Sequence, residues 1–125
     1  MTAVKEKTMP SSCEVEVKNL AGVAILVLRG EIDSSAALPL QTAYAQTNMA
    51  PRVVLDFTAV DYMNSTGIAL IVGILAQART ERRIVAASGL SDHYRQIFEI
   101  TRLSDFIEMY ADVDDAIATT AQPTA

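Results

Sequence analysis

The 125 residues suit one domain, and with half of them apolar and only 20% charged a disordered chain is excluded except at the ends. A formal charge of −5 offers no cationic field to gather phosphates, so nucleic acid is not expected as a partner and a protein is. The single cysteine, Cys13, has no second thiol for an intramolecular disulfide and no histidine cluster for a zinc site, which suits a reducing cytoplasm.

Residues 1–12 carry Lys5, Glu6, Lys7 and Pro10 without periodicity, which is wrong for a signal peptide and predicts a flexible N-terminal tail. The alternation Cys13-Glu14-Val15-Glu16-Val17-Lys18 predicts an edge strand with Cys13 on its apolar face, and the continuous run Val23-Ala24-Ile25-Leu26-Val27-Leu28 a strand covered on both faces. Asp33-Ser34-Ser35 then offers side-chain oxygens for a helix start, with the helix over 36–47 and Pro39 tolerable only in its first turn. A β-branched strand over 52–57, a polar loop over 58–64 and an apolar helix over 65–80 follow. Its stripe of Ile68, Ile71, Val72 and Leu75 is expected to pack into the core, and its apolar stretch is too short to span a bilayer.

A strand over 84–87, a helix opened by Ser91 and running to 101, a strand over 106–110 and a helix over 113–118 complete the pattern, leaving 119–125 as a second flexible tail. The order is α/β: one domain over 13–118, with a mixed sheet of four to five strands whose later members are parallel because each helix is a crossover.

The segment with chemical character is the passage from strand to helix: Leu55-Asp56-Phe57, then Asp61-Tyr62-Met63-Asn64-Ser65-Thr66-Gly67-Ile68. A helix start presents unpaired N–H groups and the positive end of the macrodipole, so a phosphoryl group on Ser65 is stabilised there. The plain alternative is that Asn64 or Ser65 merely caps the helix, a role typically worth about 1 kcal/mol.

Asp56-Phe57 with the block 62–68, and Gly30-Glu31-Ile32-Asp33 upstream, resemble the two signatures of STAS-domain anti-sigma-factor antagonists, and the likeness covers residues 13–118. This resemblance implies helices packed mainly on one face of the sheet and a partner-switching role in transcription regulation, such as a stress response. The unphosphorylated form would bind an anti-sigma factor that is also a serine kinase, releasing a sigma factor. Phosphorylation of Ser65 would end the binding, with Thr66 as the backup acceptor and a serine phosphatase to reverse it. The implied partner-binding residues are Asp33, Ser34, Asn64, Ser65, Thr66 and Gly67, with Asp33 close to the serine. No cofactor and no metal are implied, the compartment is cytoplasmic, and the oligomeric state stays open between monomer and weak dimer.

One position departs from the family pattern, which commonly has Asp before the serine where this chain has Asn64. The competing reading keeps the fold but makes the chain a STAS regulatory or structural subunit of a transporter or sensory complex, without phospho-switching. An enzyme reading would need Ser65 as nucleophile, His93 as base and Asp33 or Asp92 as orienter. It is disfavoured because Met63 occupies a position that a nucleophile elbow reserves for a small residue, and His93 is read as a solvated surface side chain.

Overall fold

The computed structural model describes residues 13–121; the tail expected over 1–12 and residues 122–125 lie outside the described residues. Five strands and four helices alternate: β1 (Glu14–Leu20), β2 (Val23–Ile32), a 3-10 turn (Ser34–Ala36), α1 (Ala37–Ala45), β3 (Arg52–Met63), α2 (Ser65–Thr80), β4 (Ile84–Ser88), α3 (Asp92–Ile100), a second 3-10 turn (Leu103–Asp105), β5 (Glu108–Tyr110) and α4 (Val113–Ala121). The sheet order is β1-β2-β3-β4-β5. β1 pairs antiparallel with β2 through a turn at Gly22, whose φ of +76° suits a residue without Cβ, and the other three pairings are parallel.

The sheet buries both faces. Leu26, Leu28, Val53, Leu55, Phe57 and Val85 belong to one cluster with Leu40 of α1, Ile71, Ile74 and Leu75 of α2 and Phe98 of α3. Val23, Ile25, Val54 and Ala86 form the other with Ala116 of α4. Three helices therefore cover one face and one covers the other, which is why Val23-Ala24-Ile25-Leu26-Val27-Leu28 of β2 and Val53-Val54-Leu55 of β3 read as unbroken apolar runs. Cys13 is buried beside this core, and burial, with Asp33 and Glu14 adding repulsion, pushes its thiol up to about 11, so it packs as a small hydrophobe.

Several boundaries differ from the sequence reading. The expected loop over 58–64 is extended chain as far as Met63, because β2 likewise runs on to Ile32 and pairs with it. The two register shifts in that pairing lie between Val27 and Arg29 and between Gly30 and Glu31, and Gly30 has a φ of +89° that favours glycine. Tertiary pairing makes strand here of a segment without clean alternation. Val72, expected in the core, is 40% exposed, while Ile74 is buried in its place, since the inward stripe of α2 is centred on Ile71, Ile74, Leu75 and Ala78 and Val72 lies about 100° round the helix from Ile71. Helix α1 begins one residue later than expected, behind the 3-10 turn, with Pro39 in its first turn, and α4 runs to Ala121.

At the end of the sheet remote from the site, a buried Arg83 joins three segments. Its guanidinium donates to the Ala50 carbonyl at 2.7 Å and to Thr47 Oγ1 at 2.6 Å, and lies 4.8 Å from the centre of the Tyr44 ring. The Tyr44 hydroxyl donates to Glu81 at 2.7 Å, and burial together with that bond pushes its phenol up to about 12.

Helix α2 meets the end of β2 at Gly67. A Cβ built on Gly67 would lie 1.8 Å from the Ile32 carbonyl oxygen and 2.6 Å from its carbon, and both are backbone atoms that cannot step aside. Gly67→Ala is therefore expected to destabilise the domain by about 2–3 kcal/mol in urea unfolding, more than a helix-interior glycine replacement, which normally gains stability. An unchanged midpoint would show that the close approach imposes no constraint.

Candidate functional site

The site is the mouth of α2. Its N-cap is Asn64, in extended conformation, whose side-chain oxygen accepts the Gly67 N–H at 2.8 Å while its carbonyl accepts the Ile68 N–H at 2.9 Å. Those two bonds engage the third and fourth amides of the helix; the amides of Ser65 and Thr66 stand ahead of the first intrahelical bond. Ser65 and Thr66 are exposed, and neither hydroxyl makes a hydrogen bond among the described residues. No acidic residue occupies the first turn, so the positive end of the helix is uncompensated from within.

The second component arrives from β2. The Asn64 N–H donates to the Ile32 carbonyl at 3.3 Å, the same oxygen against which Gly67 rests. Asp33 is the next residue along, half-buried, and caps the 3-10 turn by accepting the Ser35 N–H at 2.9 Å and the Ser35 hydroxyl at 2.5 Å. These bonds hold its carboxyl below the usual carboxylate range, so it is an anion at neutral pH. Ser34 is exposed on that turn, which packs against α2. The structure thus brings Asn64, Ser65, Thr66 and Gly67 onto one helix start and sets Asp33 and Ser34 on the adjoining turn.

A third component was not legible in the sequence. The Tyr94 hydroxyl, from α3, accepts the Met63 N–H at 2.8 Å and donates to the Met63 carbonyl at 3.2 Å, fixing the residue before the cap. Its signal was absent because an aromatic on an amphipathic helix ordinarily means packing.

Asp56, part of the first signature, is a structural brace. Its carboxylate accepts the Thr58 N–H and hydroxyl at 3.0 and 2.7 Å and the Ser88 hydroxyl at 3.4 Å. His93 is exposed on α3, its ring 4.9 Å from that of Tyr94, and no hydrogen bond joins it to Ser65. Among the described residues no three His, Cys, Asp or Glu side chains gather as a metal site would need, and no helix is long and apolar enough to cross a membrane.

The sequence and the fold have known counterparts. The sequence model of the STAS domain matches residues 14–116. The anti-sigma-B factor antagonist of Listeria monocytogenes is 36% identical over 103 residues, covering 81% of this chain and 90% of its own. An anti-sigma factor antagonist from Mycobacterium paratuberculosis superposes with a TM-score of 0.76 at 23% identity, covering 90% of this chain and 97% of that one. The Bacillus cell fate determinant SpoIIAA superposes in its phosphorylated form with a TM-score of 0.65 at 19% identity, over 85% of this chain and 98% of that one. In its unphosphorylated form the TM-score is 0.67 at 16% identity, over 87% and 99%. With its five-stranded mixed sheet, its Gly67-seated helix and a family match over nearly all the described residues, the chain belongs to the STAS domain family.

Proposed function

We propose that this chain is an anti-sigma-factor antagonist that switches partners through Ser65, and not an enzyme. The unphosphorylated form binds an anti-sigma factor with serine kinase activity and so releases a sigma factor; a phosphoryl group on Ser65 blocks that binding, and a serine phosphatase restores it. The observation that carries this reading is the exposed, unengaged Ser65 hydroxyl at the first position of a 16-residue helix whose first turn is pinned to the sheet at Gly67. The 36% identity to an anti-sigma-B factor antagonist supports the partner class, and the cytoplasm is the compartment such a partner implies.

The physics of the switch is local. Phosphoserine adds a charge of about −1.5 to −2 at neutral pH. At Ser65 that charge meets free amides and the positive end of α2, which hold it in place, so the scaffold keeps its form. A partner docked over the same mouth would have to desolvate the new dianion beside the ionised Asp33, and that opposes binding. Asn64 keeps the cap that the family's usual Asp would make, as its bond to Gly67 shows, and removes one negative charge from the residue before the acceptor. Thr66, also exposed, is one position further into the helix and is the backup acceptor.

The absent carboxylate at Asn64 is also the feature that would suit a STAS subunit of a transporter or sensory complex working without phospho-switching, and two experiments separate the readings. Binding to the host's anti-sigma factor, measured by calorimetry, should be retained in Ser65→Ala and weakened about 100-fold or more in Ser65→Asp, a loss of about 3 kcal/mol. Equal affinities would end the switching proposal, and capture of a transporter subunit in its place would favour the competitor. Incubation with that kinase and ATP, followed by intact-mass and fragmentation analysis, should locate one phosphoryl group on Ser65 with the far-UV spectrum unchanged. A group found elsewhere than on Ser65 or Thr66 would contradict the assignment.

A further inference from the structure

The parallel sheet leaves β3 half-partnered. β4 stops pairing with it at Asp56↔Ser88, yet β3 continues to Met63 with β2 as its one strand neighbour among the described residues. Along an extended strand the backbone groups of successive residues face opposite neighbours. Asn64 accordingly donates toward β2, to Ile32, while the N–H and C=O of Met63 face the side that β4 has vacated. Both would lack a protein partner there, and a half-sheltered backbone pair left unmade is costly.

One hydroxyl serves both groups. Tyr94 accepts from the Met63 N–H at 2.8 Å and donates to its carbonyl at 3.2 Å. The tyrosine is itself held at the start of α3, where its N–H donates to the Ser91 side chain at 3.3 Å. The route from β4 into α3 is pressed against β3 as well, since a Cβ on Gly89, whose φ is +75°, would lie 2.2 Å from Thr58 Oγ1 and 2.9 Å from Thr58 N. The chain entering α2 is therefore tied on one side to Ile32 and on the other to Tyr94, with the Ser65 backbone two residues beyond the second tie.

We propose that Tyr94 is the positioning residue of the Ser65 mouth: its hydroxyl replaces the missing strand at Met63 and thereby fixes the direction in which the Ser65 hydroxyl is presented to a docking kinase. This rests on the partner-switching reading for its consequence but on geometry alone for its mechanism. Tyr94 does not touch the phosphoryl acceptor; it acts through the backbone of Met63 and the Asn64 cap.

The test is Tyr94→Phe, which deletes only the hydroxyl, compared with Tyr44→Phe, which deletes a phenol bonded to Glu81 just beyond the opposite end of α2. Native-state amide exchange of Met63 should quicken about tenfold in Tyr94→Phe and stay at the wild-type rate in Tyr44→Phe. Phosphorylation of Ser65 in soluble host extract with ATP should slow about tenfold in Tyr94→Phe alone, because a displaced acceptor loses alignment with the incoming phosphoryl group. Unchanged Met63 exchange in Tyr94→Phe overturns the proposal, as does equal quickening in both variants, which would mark a general loss of stability. So does an unchanged phosphorylation rate once the exchange has quickened. Absence of phosphorylation in the wild type would instead sink the partner-switching reading, and the exchange measurement would still decide the role of Tyr94.

Discussion

The site depends on one contact between a helix and a strand end: Gly67 of α2 lying directly on the Ile32 carbonyl of β2. A side chain of any size at that position would lift the helix from the sheet. Because none is there, the same carbonyl also receives the Asn64 N–H, and the residue after it, Asp33, is held beside the start of α2. Helix cap, close approach and neighbouring anion are thus consequences of one backbone oxygen being left accessible.

The long central strand supplies the other half of the arrangement. β3 has 12 residues against 5 in β4, so its last part projects past β4 with β2 as its only strand neighbour among the described residues. The projection carries Tyr62 and Met63 out to the rim, where Tyr62 is 50% exposed and Met63 is 3% exposed. The rigid, buried half of the sheet lies below it, with Val53, Val54 and Leu55 wholly enclosed. The exposed hydroxyls of Ser65 and Thr66 stand just beyond this rim, next to the buried half of the sheet.

Much of the fold was legible from pattern. The strand run at 23–28 read correctly as covered on both faces, because α4 on one face and the other helices on the opposite face leave no wet side, and the β-branched run at 52–57 read correctly as a strand. The Asn64-Ser65 helix start was legible because capping requires particular residue types within a few positions, whereas Gly67 was read only as a small, partner-binding residue of the family pattern and its seat on the Ile32 carbonyl came with the structure. The extension of β2 and β3 was not legible, since residues 58–63 lack the clean apolar–polar alternation of a half-buried strand and become strand only through pairing with β2. Val72 was misjudged for a related reason: an apolar residue at the margin of the stripe is turned inward or outward by what lies opposite it, and the stretch around Phe106 leaves it 40% exposed.

By itself the sequence determined the order of elements, the class of sheet and the residue types at the helix mouth, because periodicity and capping act over a few neighbouring positions. Only the tertiary structure decided that Ile32, Met63 and Tyr94, far apart along the chain, close around that mouth. Their part is played by backbone groups and one hydroxyl, and backbone groups are the same in every residue, so no local pattern announces them.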